Sequence, residues 1–216
     1  MAEQSKRKKL TTYDYLASKG KRQLSNLFVH SVDEAAAAEE AGIDYIVTAH
    51  DLPKFGITST LDDVKNIREA APSCFMQSGS PIPAASEYEA IKFSHKYLSL
   101  GADCIYVGNY SLEWIKAMRR ENIPCISHVG LIPGKATWIG GFRAIGKTAE
   151  EAIGVLRHTL ELQDAGVIGV EFEVVPPKVA AVVTKKVDII IMSMGSGSDC
   201  DAQFLFSNDV LGWAEG

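Results

Sequence analysis

The chain is predicted to fold as an α/β protein, a (β/α)8 TIM barrel shortened at its C-terminus. Three observations lead there. Short apolar runs alternate with amphipathic stretches along the chain, no break in composition interrupts them, and several amphipathic stretches stop at glycine just before the next run. Strict β/α alternation over 216 residues suits a closed parallel barrel, which routinely takes roughly 200–250 residues as one domain. A doubly wound open sheet is the competing arrangement. The GxGxxG turn that would favour it is absent after the first apolar run.

In chain order, residues 1–22 read as a polar tail and a leading helix within a single domain spanning 1–216. The one dense basic run, Lys6 to Lys9, lies in that tail and reads as a solvated segment. The predicted strands are LSNLFVH (24–30), DYIVTAH (44–50), CFMQSG (74–79), DCIYVG (103–108), PCISHVG (124–130), VIGVEFEVV (167–175) and DIIIMSMG (188–195). FLF (204–206) is a weaker eighth. Their near-continuous apolar character is that of strands covered on both faces. Between them VDEAAAAEEAG, LDDVKNIREAAP, SEYEAIKFSHKYLSLG, SLEWIKAMRREN and KTAEEAIGVLRHTLELQDAG carry apolar residues at helical spacing, and most end in Gly or Pro.

Composition narrows the function. The chain is 46% hydrophobic and 23% charged, ordinary globular usage, and its net charge of −5 argues against a general nucleic-acid binder. No apolar run reaches the ~18 residues of a membrane span. The opening MAEQSKRKK lacks the apolar core of a secretory signal. Cys74, Cys104, Cys125 and Cys200 have neither CxxC nor zinc-like spacing, and three of them sit in apolar runs as small buried hydrophobes. The expectation is a reduced, cytoplasmic protein with a small-molecule substrate and no nucleic-acid or membrane partner.

In such barrels the chemistry sits at the C-terminal strand ends. Glu173, near the end of the sixth strand, is either a general acid or base or a structural carboxylate, and period-two alternation puts Glu171 on its face. His128, ending the fifth strand, either donates to a substrate oxygen or is structural. His50 and Asp51 either ligate a divalent metal or cap a loop. The run GSGSDCD (195–201) either binds an anion through backbone N–H groups or is a turn capped by Ser198 or Asp201. The candidate substrate-binding residues are His30, His50, Ser78, Tyr106, Asn109 and Ser196.

HVGLIPGKATWIGGFRAIGKT (128–148) is similar to the HLGLTPQ and GGYKVQGKT-like segments of the ketopantoate (3-methyl-2-oxobutanoate) hydroxymethyltransferase family. That family lies in the phosphoenolpyruvate mutase/isocitrate lyase superfamily. EFEVVPPKVA resembles its LECVPAELA, and GSGSDCDAQFLFSNDVLG its GAGPDCDGQVLVWHDMLG. With the REAAPSC and LSLGADC junctions, the resemblance covers about residues 10–212. LTTYDY looks like the family's TAYDY, but spacing puts FVHSV (28–32) in register instead and makes LTTYDYLASKGKR the leading helix.

The resemblance implies Mg²⁺ held by two aspartates and a glutamate, a 2-oxo acid that chelates it, and methylenetetrahydrofolate as one-carbon donor. Here His50 stands at the first aspartate, Asp51 at its neighbouring serine, Gly79 at the second aspartate, Gly108 at the glutamate and Tyr106 at a lysine. His128 and Glu173 are retained, and the resemblance makes Glu173 the general base. His50 and Asp51 would suit a softer metal such as Zn²⁺, Mn²⁺ or Fe²⁺. The alternative is no metal, with His50, Ser78, Tyr106 and His128 as donors to an enolate. Gly79 and Gly108 are expected to enlarge the pocket. The expected function is a carbon–carbon bond-forming or -cleaving enzyme of aldol, retro-aldol or lyase type, acting on a 2-oxo acid or related carbonyl through an enolate. The alternative is a non-catalytic barrel homologue that binds a small molecule or scaffolds. The superfamily also implies a homo-oligomer, although the C-terminal helices its members use for assembly have no counterpart in the sequence.

Overall fold

Eight parallel strands hydrogen-bond in sequence order and close, β8 returning to β1. The structure, a computed structural model, describes residues 7–48, 60–79 and 84–213. His50 and Asp51 lie outside these. The strands are β1 (Leu24–Phe28), β2 (Tyr45–Val47), β3 (Phe75–Ser78), β4 (Cys104–Tyr106), β5 (Cys125–Gly130), β6 (Gly169–Glu173), β7 (Ile190–Met194) and β8 (Ala202–Phe206). The helices are α1 (Thr12–Ala17), α2 (Val32–Ala41), α3 (Leu61–Ala70), α4 (Glu87–Ser99), α5 (Leu112–Arg120), α6 (Ala149–Ala165), α7 (Pro177–Thr184) and α8 (Ser207–Val210).

Local chemistry sets where the helices begin. Each of α1 to α6 starts after a Ser or Thr (Thr11, Ser31, Thr60, Ser86, Ser111, Thr148) whose hydroxyl accepts the backbone N–H three residues on. That satisfies one of the donors a helix start leaves unpaired, worth about 1 kcal/mol each. At the other end α2 and α6 stop at Gly42 and Gly166, whose left-handed backbone (φ 79° and 98°) suits a residue without Cβ.

The pleat divides each strand into two rows. The inner row, including Leu24, Tyr45, Phe75, Ile126, Met192 and Phe204, packs with itself inside the barrel. The outer row, including Ile46, Met76, Ile105, Val170, Phe172 and Ile191, packs against the helices. Helix α1 inserts Tyr15 among the inner row, stacked on Phe75 with ring centroids 5.0 Å apart. An alanine Cβ at Gly169 would stand 2.6 Å from the Tyr15 hydroxyl, so the ring needs that glycine.

Several stretches depart from the sequence-based expectation. The predicted strand 167–175 ends at Glu173, because Val174 takes φ 51° and turns the chain away. The following PPKVAAVVT, which is not among the expected helices, forms α7, started by Pro177 in its first turn. Pro133–Ile139, after β5, is a 3-10 turn. Among the described residues no helix is long and apolar enough to cross a membrane.

Candidate active site

The parallel register of β5 and β6 sets His128 beside Glu171 and Gly130 beside Glu173. Since the inner row continues through alternate residues, His128, Glu171 and Glu173 face one another. The buried His128 ring has Nε2 3.1 Å from Glu173 Oε2 and Nδ1 3.5 Å from Glu171 Oε2. The Tyr106 hydroxyl lies 3.0 Å from Nδ1. At Nε2 the distance to Glu173 is right but the direction is not: along its bonding axis Nε2 has no hydrogen-bond partner among the described residues. The two groups touch without a hydrogen bond between them.

Glu171 is buried deeper than Glu173 and belongs to a polar chain running down the barrel. Gln77 Nε2 donates to its Oε1 at 2.7 Å, and the Tyr45 hydroxyl donates to Gln77 Oε1. Burial raises the Glu171 pKa, while His128 and Gln77 pull it the other way. Burial, with Glu171 and Glu173 nearby, also holds the Tyr106 phenol well above its ordinary pKa, so it stays a hydroxyl. Gln77 is one of the polar strand-end residues in the sequence, but nothing local marks it as the partner of Glu171.

The expectation that Gly79 and Gly108 open the pocket is overturned. A Cβ at Gly108 would lie 2.5 Å from Tyr106 Cζ and 2.9 Å from His128 Cβ. A Cβ at Gly79 would lie 3.1 Å from Tyr106 Cβ. Tyr106 thus fills the space beside both glycines, and the missing side chains make room for its phenol to reach His128. The described part of the site does not fit Mg²⁺: two positions that the resemblance gives to ligands have no side chain, and a phenol occupies the space beside them. Among the described residues no three His, Cys, Asp or Glu are grouped to hold a metal ion. His50 and Asp51, the expected metal pair, lie outside the described residues.

The other candidates divide. His30 extends the inner row of β1 two residues past Phe28, its ring 4.9 Å from that of Phe28, and its buried Nε2 has no partner among the described residues. Ser78 is not brought to the group. Its register partner is Ile105, and the pleat places it with Met76 and Ile105 on the row facing the helices. Asn109 is exposed and lies against the loop after β5: a Cβ on Gly134 would stand 3.3 Å from its Oδ1. Ser196 is buried with its hydroxyl committed to backbone, donating to Phe172 O at 2.7 Å and accepting from Val175 N at 2.9 Å. It clamps the turn at Val174. A β-branched residue at positive φ costs about 1–3 kcal/mol, and such strain persists only where neighbours over-determine it. In the following run Asp201 caps no helix; it accepts from Ile191 N and Lys19 Nζ.

The GGFRAIGKT loop is tied to the start of α6. Glu151 accepts from Gly146 N (3.0 Å), Lys147 N (2.9 Å) and Arg143 Nη1 (2.8 Å). These bonds, the one from Arg143 first, pull its carboxyl down to about 2. His95 is exposed on α4 and His158 half-buried on α6, and neither belongs to this group.

Comparison with known proteins gives a family and a fold. The profile of the family described as ketopantoate hydroxymethyltransferase matches residues 3–216. The chain is 32% identical to a 3-methyl-2-oxobutanoate hydroxymethyltransferase of Thermus thermophilus, over 94% of this chain and 82% of that one. It is 31% identical to the enzyme of the same name from Hyperthermus butylicus, over 95% of this chain and 77% of that one. Among solved structures, 2,3-dimethylmalate lyase, a member of the PEP mutase/isocitrate lyase superfamily, superposes with TM-score 0.64 at 13% identity, over 94% and 83% of the two chains. Phosphonopyruvate hydrolase superposes with TM-score 0.67 at 12% identity, over 94% and 83%. At those identities the likeness speaks for the barrel alone.

Proposed function

This chain belongs to the ketopantoate hydroxymethyltransferase family, and from that premise we propose that it forms or cleaves a carbon–carbon bond next to the carbonyl of a small 2-oxo acid, through an enolate. The observation that carries the reading is the pairing of Glu173 with His128 Nε2 at 3.1 Å on the inner row at the C-terminal end of the barrel. Glu173, partly open to the mouth, removes the proton from the carbon beside the carbonyl; the C–H electron pair becomes a carbon–carbon double bond as the carbonyl π pair moves onto oxygen. Tyr106 remains a hydroxyl and its contact with His128 Nδ1 holds the ring, leaving Nε2, which has no hydrogen-bond partner among the described residues, to donate to the growing oxyanion. The enolate carbon then attacks a one-carbon or aldehyde electrophile, making the new bond, and Glu173 returns its proton to the heteroatom that takes up the electrons. No step runs through a metal.

Enolisation can be tested without the second substrate, methylenetetrahydrofolate by resemblance. The assay is the exchange of the hydrogen on C3 of 3-methyl-2-oxobutanoate into D₂O, followed by NMR. The expected result is exchange by the wild-type protein and a loss of about 10²–10⁴-fold in Glu173→Gln. No exchange with a panel of small 2-oxo acids, or equal exchange in wild type and Glu173→Gln, overturns the proposal. Ligand binding without exchange would mark a non-catalytic barrel.

A further inference from the structure

We propose that Lys135 is a ligand-binding residue of this site, its ammonium taking the carboxylate of the oxo acid. The inference rests on the reading above and adds the group that holds the anionic end of the ligand. Lys135 lies on the 3-10 turn that follows β5, a few residues beyond His128. Its Nζ reaches across to the end of β4 and donates to Gly108 O at 3.1 Å. Gly108 is the residue against which the Tyr106 phenol and His128 Cβ pack, so the ammonium is fixed at the rim of the same group.

Two further observations point to an anionic ligand. The first is the missing counter-charge. The partly buried cations Lys19 and Arg68 each meet a carboxylate, Asp201 at 2.6 Å and Asp103 at 3.1 Å. Lys135 is also partly buried, yet among the described residues its recorded partner is one neutral carbonyl. An ammonium has three donors, and the Gly108 carbonyl takes one of them. Burial accordingly pulls its pKa below the ordinary amine value, the direction an arriving carboxylate would reverse.

The second observation is the charge of the site itself. Glu171 and Glu173 both converge on His128, so an anionic substrate would meet like charge. A fixed cation at the rim offsets that repulsion and orients the ligand, carboxylate toward Lys135 and reacting carbon toward Glu173.

The test is calorimetric titration with oxalate, a small dianion, and with its uncharged counterpart oxamide. Wild-type protein is expected to bind oxalate. Lys135→Met should weaken oxalate by about tenfold or more, the scale of a hydrogen bond to a charged group. Lys135→Arg should restore most of that loss, and oxamide should respond to neither substitution. The inference is overturned if wild type does not bind oxalate, if Lys135→Met binds it as wild type does, or if oxamide weakens in parallel, since that would mark a purely structural role. Deuterium exchange keeps the two readings apart: exchange by wild type with an unchanged KM in Lys135→Met sinks this inference and leaves the proposed reaction standing.

Discussion

Replacing Gly108 with alanine tests the central packing claim, that the glycine exists to admit the Tyr106 phenol. The backbone at Gly108 is not in the left-handed region, so the substitution acts through its added methyl group. That methyl would sit 2.5 Å from Tyr106 Cζ and 2.9 Å from His128 Cβ, where ordinary carbon contacts are about 3.5–4.0 Å. The histidine Cβ is tied to β5 and cannot retreat, so the tyrosine ring must swing out. Overpacking of this kind costs about 1–3 kcal/mol. Losing the phenol from Nδ1 leaves a buried nitrogen unpaired, for about 1–3 kcal/mol more. For a chain of this size each kcal/mol moves Tm by roughly 2–4 °C, so the combined loss of about 2–6 kcal/mol should make Gly108→Ala melt about 4–24 °C below wild type by calorimetry. Adding Tyr106→Leu removes the contact with the ring and leaves only the 2.9 Å approach to His128 Cβ, so the double variant should lose less than the sum of the two single losses. An alanine variant that melts with wild type, or strict additivity in the double variant, would refute the packing argument and reopen Gly108 as space for a ligand.

Three further outcomes follow from the buried and hydrogen-bonded groups. Glu171 has a folded pKa above its unfolded value of 4.5, chiefly from burial, so its contribution to stability is fully present below 4.5 and lost as pH rises through the folded value. Glu171→Gln cannot ionise, and urea unfolding should therefore favour it over wild type increasingly as pH rises; a pH-independent difference would contradict the shift. Glu151 has the opposite sign: its contribution is present above 4.5 and lost as pH falls through about 2. Glu151→Ala should speed amide hydrogen exchange at Gly146 and Lys147 near neutral pH while leaving the barrel strands protected, and unchanged exchange at those two amides would remove Glu151 as the loop's anchor. The Cys74 and Cys125 thiols, both pushed up to about 12 mainly by burial, should react with iodoacetamide only after unfolding. Labelling of the native protein at mild alkaline pH would contradict their burial.

Local features of the sequence determined the frame. Apolar runs, Ser and Thr at helix starts and glycine at helix ends are readable because the residues involved are neighbours in the chain. Strand alternation put Glu171 and Glu173 on one face and Val170 and Phe172 on the other, as the structure has them. It would also have excluded Ser78, one residue out of step with Gln77, had the parity been applied to β3. A short stretch went unread where the local signal is mixed: PPKVAAVVT, absent from the expected helices, forms α7 with Pro177 in its first turn. What only tertiary structure decided are the contacts between strands. Tyr106 meeting Nδ1 of His128, Gln77 meeting Glu171, Ser196 clamping the turn after Glu173 and Lys135 reaching Gly108 all join residues from different β/α units. Such pairs depend on strand register and barrel closure, and a shift of one residue would turn every inner side chain outward.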